Sequence, residues 1–111
     1  LRMPAEWEPH RGTWLAWPHQ KGDWPGKFGP IRWVYAEIVR ILSRFEEVNL
    51  IVADATAFET SRSILTAAGA DMTRVAFHTL PTDRGWLRDS GPIFVRDASG
   101  AKVALDWGFT A

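Results

Sequence analysis

Apolar residues recur along the chain in short runs, which predict three strands. Residues 13–17 form an apolar run closed by Pro18, typical of a buried strand that enters a loop. Residues 48–53 are almost continuously apolar, which suits a strand covered on both faces, as in parallel or mixed sheets backed by helices. Residues 75–79 have the length and composition of a third strand.

A helix is predicted between the first two strands. Apolar residues recur three and four positions apart and would form one buried face: Ile31, Val34, Tyr35, Ile38, Ile41, Leu42 and Phe45. The preceding residues, 19–30, hold three glycines and two prolines, and we expect an irregular loop there.

A second helix is predicted between the second and third strands. It would begin near Thr56, because Thr56 and Glu59 have the spacing of a capping box, in which each side chain satisfies a free backbone N–H. Gly69 stands where the helix is expected to stop. The inner face of the helix would hold three residues: Phe58, Leu65 and Ala68.

The last third of the chain is predicted to be a loop followed by a hairpin. Residues 81–92 contain two prolines and two glycines and favour a loop. Residues 93–96 and 102–107 predict two strands joined by a turn at 97–100. The second strand would direct three apolar side chains to one face: Val103, Leu105 and Trp107. The predicted order of strands and helices is that of a mixed α/β fold.

Charge and composition narrow the classes of function. The 111 residues include 13 basic and 13 acidic residues, so the formal net charge is zero and gives no footprint for nucleic acid or an anionic membrane. No apolar run approaches the roughly 18 residues that span a bilayer, and the first residues lack the apolar core of a signal peptide. We therefore expect no nucleic-acid partner, no membrane partner and a cytoplasmic location.

The residues that usually hold metals or act as nucleophiles are scarce. There is no cysteine, which excludes disulfides, thiolate metal sites and a cysteine nucleophile within these residues. The three histidines, His10, His19 and His78, lack metal-ligand spacing, and each is expected to be a structural or surface residue. No phosphate loop or nucleophile elbow is present. We predict no metal site.

Tryptophan is abundant, with seven copies of which five lie in the first 33 residues. Large aromatic side chains usually fill cores, and we expect core packing for most of the seven. The other interpretation is an aromatic-lined pocket for a cation or a planar group.

The segment 82–92 concentrates charged, aromatic and glycine residues. A turn within it would bring Trp86 and Asp89 onto one ligand. A carboxylate accepts paired N–H bonds from a guanidinium, and an aromatic ring covers the flat side of such a cation. A structural interpretation stays open: Asp89 would cap a turn or pair with Arg84 or Arg88, and Trp86 would cover the end of the sheet.

Four segments together resemble agmatine deiminases and the related bacterial-type peptidylarginine deiminases. They are residues 3–10 (MPAEWEPH), 12–18 (GTWLAWP), 86–92 (WLRDSGP) and 106–109 (DWGF), and they occur in the order found in the family. The resemblance implies a pentein fold, a five-bladed α/β propeller of ββαβ-type units. Residues 1–111 would be the N-terminal part of a single pentein-like catalytic domain, covering its first one or two blades, and the natural protein would continue beyond Ala111.

The resemblance also implies an activity for the complete protein. In this family a cysteine attacks the guanidinium carbon and a histidine moves protons. For agmatine, the products are N-carbamoylputrescine and ammonia. The covalent intermediate divides one difficult hydrolysis into two easier steps. The implied partner is a small-molecule guanidinium substrate, no cofactor is expected, and homo-oligomerisation is left open.

Carried over to this sequence, the resemblance assigns roles to four residues. Asp89 and Trp86 would bind the guanidinium, Trp17 would line the pocket mouth, and Arg88 would orient the loop, because a cation facing a cationic substrate is repelled. No catalytic residue is assigned within the chain, since the family's cysteine and histidine are expected downstream.

Two positions depart from the family pattern, and a second class of function stays open. Arg84 stands where an acidic residue is common, and Thr110 stands where Asn is common. Both loosen the assignment to agmatine over other guanidinium substrates, peptidyl-arginine included. The alternative class is a non-catalytic module, either a truncated remnant or an aromatic-cage binder of cations.

Overall fold

The fold alternates strands and helices in the predicted order. The computed structural model describes residues 1–108, so Phe109 of the DWGF segment and Thr110 lie outside the described residues. The main elements are β1 (Gly12–Ala16), α1 (Phe28–Leu42), β2 (Glu47–Val52), α2 (Ala55–Ala68), β3 (Val75–Thr79), α3 (Leu87–Ser90), β4 (Ile93–Arg96) and β5 (Lys102–Leu105). Two short 3-10 helices span Lys21–Asp23 and Met72–Arg74. The chain forms two compact units, a larger one of Arg11–Leu87 and a smaller one of Leu1–His10 with Arg88–Ala111.

The larger unit is a parallel three-stranded sheet with both long helices on one face. The strand order is β1-β2-β3, and Leu50 of β2 lies between Leu15 of β1 and Phe77 of β3. The core side of β2 is formed by Val48, Leu50 and Val52, all fully buried. Burying a side chain of this size contributes about 1.5–3 kcal/mol, so β2 is the centre of the unit's stability.

The residues of α1 and α2 that meet this core show which face of the sheet the helices cover. Ala36 and Val39 of α1 and Leu65 of α2 join the same buried cluster as Leu50. Asn49, which points to the opposite face of β2, is only partly buried. Ile51, on the same face as Asn49, is buried. The predicted covering of both faces of this strand is therefore met in part, although both long helices of the larger unit lie on one face.

Helix α1 begins earlier than the sequence predicted. Its first turn holds Phe28, Gly29 and Pro30, which were assigned to an irregular loop. Proline fits there because the N–H groups of the first helical turn have no partner within the helix. The 3-10 helix Lys21–Asp23 is a second regular element inside the predicted loop.

The buried face of α1 differs in part from the predicted one, of which Tyr35 and Leu42 pack against the core. Ala36 and Val39 are the buried residues of this helix, and Ser43 directly after it is buried as well and accepts a hydrogen bond from the Asp71 N–H at 3.0 Å. Small side chains on this face let α1 lie close to the sheet, whereas larger ones would hold it away. Four members of the predicted face are exposed instead: Val34, Ile38, Ile41 and Phe45.

Helix α2 is capped by a different residue from the one predicted. Asp54 is the N-cap, and its Oδ1 accepts a hydrogen bond from the Ala57 N–H at 2.7 Å. The capping box of Thr56 and Glu59 was wrong because the helix begins at Ala55, which places Thr56 inside the first turn. The predicted stop at Gly69 is confirmed.

Gly69 ends α2 in a left-handed backbone conformation, with φ of 85°. Glycine adopts this conformation without the steric cost that a Cβ would bring. The predicted inner face is also confirmed, since Leu65 is fully buried and both Phe58 and Ala68 pack against the same core.

The smaller unit contains the predicted hairpin. β4 and β5 are antiparallel, with Ile93 opposite Leu105, and β5 ends there, two residues before the predicted limit. Arg2 extends this sheet through a pair of backbone hydrogen bonds with Arg96, both 2.7 Å. The turn is organised by Asp97, whose Oδ1 accepts from the N–H groups of residues 99 and 101.

Candidate functional site

The carboxyl ends of β1 and β3 lie at the same edge of the parallel sheet. The loops that follow them, 17–27 and 80–86, therefore emerge on one side. Trp17 N–H donates to the Ile51 carbonyl at 2.8 Å, and Leu80 N–H donates to the Val52 carbonyl at 3.0 Å, so each loop begins as a continuation of its strand. In α/β sheets this edge is where ligands bind, which makes the two loops the candidate site.

Three side-chain contacts join these two loops, and we refer to them together as the loop latch. They pair His19 with Thr82, Asp23 with Arg84, and Trp24 with Trp86. A Cβ built on Gly85 would lie 3.6 Å from the Ala16 carbonyl oxygen, so the second loop passes directly over the end of β1.

His19 lies between two backbone carbonyls. Its Nε2 is 2.6 Å from the Thr82 oxygen, and its Nδ1 is 3.3 Å from the Trp17 oxygen. A neutral imidazole has one N–H, and the shorter distance favours the proton on Nε2. His19 thus acts as a structural residue that connects the two loops by a hydrogen bond. Within residues 1–108, no group of three acidic or histidine side chains is placed to hold a metal ion.

Asp23 forms an ion pair with Arg84. The Asp23 side chain is only 5% exposed, whereas the Arg84 side chain is 65% exposed. A carboxylate removed from water needs a partner, because an uncompensated buried charge is strongly destabilising. Arg84 is therefore the cation that neutralises a buried carboxylate.

Trp86 is the outer member of a row of aromatic rings. Its ring centroid is 5.3 Å from that of Trp24, with the planes inclined at 43°. Trp24 in turn meets Tyr35 of α1 edge-on at 6.4 Å, and Tyr35 meets Trp17 edge-on at 6.5 Å. Burial raises the pKa of the Tyr35 hydroxyl. Trp86 is 43% exposed.

Trp17 is only 2% exposed and belongs to the hydrophobic core. Its ring serves as the inner end of the aromatic row, through Tyr35. The expectation that Trp17 lines the mouth of a pocket stays a prediction, and in the larger unit the ring is placed to support the row from beneath.

Asp89 and Arg88 lie in α3, a single helical turn inside the segment predicted to be a loop. Asp89 is exposed. Arg88 pairs with Glu6 at 3.1 Å, with both side chains largely exposed, while Arg84 pairs with Asp23. The two arginines considered as structural partners for Asp89 are thus engaged with other carboxylates. The roles of Asp89 in binding and of Arg88 in orienting the loop stay predictions.

Sequence reasoning missed two latch residues, Asp23 and Trp24, which lie in a stretch interpreted only as an irregular loop rich in glycine and proline. His19 was expected to be a structural or surface residue, and its hydrogen bond to Thr82 gives it a structural role. The available signal was the topology of the sheet. Loops that follow two strands of one parallel sheet emerge at the same edge, so polar and aromatic clusters in both loops can meet there.

Comparison with known sequences connects this geometry to a family. The sequence model of the Porphyromonas-type peptidyl-arginine deiminases matches residues 2–111. An agmatine deiminase of Pseudomonas aeruginosa is 37% identical over 111 residues, which is 100% of this chain and 28% of that protein. One from Stutzerimonas stutzeri is 35% identical over 109 residues, covering 98% of this chain and 28% of the relative. The chain thus spans under a third of the length of these relatives.

Solved structures give the same result for the fold. The C. jejuni agmatine deiminase superposes with a TM-score of 0.78 at 30% identity, covering 95% of this chain and 30% of that one. A Cys-to-Ser variant of the same enzyme, solved with substrate bound, gives the same TM-score and identity. The predicted mixed α/β fold class, as part of a pentein-type deiminase, is confirmed. The chain belongs to the Porphyromonas-type peptidyl-arginine deiminase family.

Proposed function

We propose that the complete protein is a guanidinium hydrolase that converts agmatine to N-carbamoylputrescine and ammonia. The observation that carries this proposal is the match over all 111 residues to proteins named agmatine deiminase. In the proposed reaction, a cysteine outside this chain forms a bond to the guanidinium carbon and ammonia leaves. Water then cleaves the carbon–sulfur bond and yields the ureido product.

The part of this chain in the reaction is to bind the substrate. Trp86 presents partly exposed ring surface at the carboxyl edge of the sheet, where it can cover the flat side of a guanidinium. Asp89, in the smaller unit, supplies an exposed carboxylate that can accept two N–H bonds from a guanidinium. Both are proposed as binding residues, and the nucleophile and the proton-transferring histidine are proposed to lie outside residues 1–111.

Ammonia release by the complete protein tests the activity. Agmatine, free arginine and an arginine-containing peptide are supplied in parallel, and turnover is expected to be fastest with agmatine. Absence of turnover with all three compounds contradicts a hydrolase and favours a non-catalytic binder of cations.

Asp89→Asn tests the assigned carboxylate. We expect kcat/KM to fall by at least about 30-fold, taking roughly 2 kcal/mol for a charge-assisted hydrogen bond, with little change in thermal stability. Asp83→Asn removes the same charge at an exposed position six residues earlier and serves as the matched control. Full activity of Asp89→Asn would assign Asp89 to loop structure instead.

Peptidyl-arginine is the second candidate substrate. The family to which the chain belongs takes its name from peptidyl-arginine deiminases. In addition, Arg84 stands where an acidic residue is expected in many agmatine deiminases. A preference for the peptide in the same three-substrate assay would select this alternative.

A further inference from the structure

We propose that the loop latch positions Trp86, so that Asp23 and Trp24 control guanidinium affinity as positioning residues. Neither residue is among the four to which the family resemblance assigns a role. The inference deepens the proposed function and rests on it for its kinetic consequences, although the latch can also be tested without substrate.

Asp23 is the fixed end of the ion pair that closes the latch. It belongs to the 3-10 helix Lys21–Asp23, and its side chain is almost completely buried. Arg84 belongs to the second loop, and most of its side chain is exposed. Since a buried carboxylate is costly without its partner, the first loop keeps its conformation only while Arg84 is in place. Each loop therefore stabilises the other.

Contacts between aromatic rings connect α1 to Trp86, through Tyr35 and Trp24. Tyr35 lies on α1, next to the fully buried Ala36, and meets Trp24 edge-on. Trp24 then contacts Trp86. Edge-on and tilted contacts between rings are favourable in particular orientations, so a displacement of Trp24 alters the plane of Trp86.

The orientation of the Trp86 ring matters because attraction between a cation and an aromatic ring depends on geometry. The cation must lie over the ring face within about 6 Å of its centre. His19 adds a third constraint by holding the Thr82 carbonyl, four residues before Trp86. With the latch closed, the ring is held ready before the ligand arrives, which lowers the ordering cost of binding.

The kinetic experiment uses the complete protein with agmatine. We expect Asp23→Asn and Arg84→Gln each to raise KM by between about 10- and 100-fold, the range that displacement of a positioning group produces, while kcat changes far less. Arg84→Lys keeps the positive charge and is expected to recover most of the affinity. Arg62→Gln removes a similarly exposed arginine that pairs with Glu59 on α2, and KM should not change.

A spectroscopic experiment on the same protein requires no substrate. Two tryptophan rings in fixed contact give a near-UV circular dichroism signal, and Trp24→Phe is expected to remove the contribution of the pair. Asp23→Asn is expected to remove the same contribution although both tryptophans are retained. An unchanged far-UV spectrum shows that the variant is folded.

The two experiments separate the ways in which the inference can fail. Loss of the near-UV signal in Asp23→Asn with an unchanged KM shows that the latch does not position the binding residue and overturns the proposal. An unchanged near-UV signal in Asp23→Asn overturns the proposal as well. If the complete protein turns over none of the three guanidinium compounds, the proposed function fails, and the spectroscopic result alone decides whether the latch fixes Trp86.

Discussion

The larger and smaller units rely on different forces. Among residues 1–108, ten apolar residues are buried, and only Val95 of these belongs to the smaller unit. The larger unit is therefore organised around a hydrophobic core, centred on Leu50 and Leu65. It also holds all three contacts of the loop latch.

The described part of the smaller unit depends on hydrogen bonds and ion pairs. Arg2 pairs with Glu8 at 2.6 Å, and Asp97 organises the hairpin turn by accepting several hydrogen bonds. Exposed ion pairs contribute little to stability, typically about 0–1 kcal/mol. The difference indicates that buried apolar side chains hold the sheet and long helices of the larger unit, whereas the described part of the smaller unit has few such side chains.

Truncating the centre of the larger core gives the largest expected effect. Leu50→Ala removes a fully buried side chain and should lower the free energy of unfolding by about 2–5 kcal/mol. Val95→Ala, in the smaller unit, should cost less because its surroundings are less enclosed. Chemical denaturation of both variants measures the difference, and equal losses would contradict the contrast between the units.

A close backbone contact in the larger unit provides the second test. A Cβ added to Gly12 would lie 2.5 Å from the Glu47 carbonyl oxygen. Gly12→Ala must therefore force β1 away from β2 and should cost about 1–3 kcal/mol. Gly29→Ala is the control, since nothing lies within 4 Å of its added Cβ. If Gly12→Ala unfolds at the same denaturant concentration as the unaltered protein, this strand pair is not closely packed.

The third test concerns the cap of α2. Asp54→Ala removes the acceptor of the Ala57 N–H and should lower the free energy of unfolding by about 1 kcal/mol. Thr56→Ala should have a smaller effect, because Thr56 lies within the helix. Thermal unfolding of the two variants compares their stabilities. A larger loss of stability for Thr56→Ala than for Asp54→Ala would favour Thr56 and Glu59 as the cap of the helix.

The smallest effect is expected in the smaller unit, at Glu8. Hydrogen bonds from the Arg2 side chain and the Ala5 N–H lower the pKa of the Glu8 carboxyl to about 2. Because the folded-state pKa is below the unfolded value, the stabilisation is present above the ordinary pKa and disappears as the pH falls towards 2. NMR titration should show Glu8 ionising near that pH, and Arg2→Gln should return its pKa towards roughly 4. Ordinary titration of Glu8 in the unaltered protein would show that the pair does not persist in solution.

Local sequence patterns were sufficient for most of the secondary structure. The three parallel strands and the hairpin followed from short apolar runs and turn residues, because those signals lie within a few positions. The buried face of α1 followed only in part. Both Val34 and Val39 belong to apolar strips on the same helix, and only packing against the sheet decides which one is buried.

The candidate site was recognisable only in part. Trp86 and Asp89 were chosen for their chemistry and for the family resemblance of their segment, and not for any spacing that fixes their geometry. The partners Asp23 and Arg84 are 61 positions apart. A contact at that separation depends on how the strands are arranged, which no local pattern encodes.

The separation between the two loops has a further consequence for biosynthesis. His19 precedes Thr82 by 63 positions. At ribosomal rates of roughly 5–20 residues per second, the second loop follows the first by about 3–13 s. During that interval Trp24 and the Asp23 carboxylate have no partners from the later loop. The candidate site is therefore among the last parts of the larger unit to assemble as the chain is made. Until then, the surface of Trp24 that later contacts Trp86 is available to chaperones or to neighbouring chains.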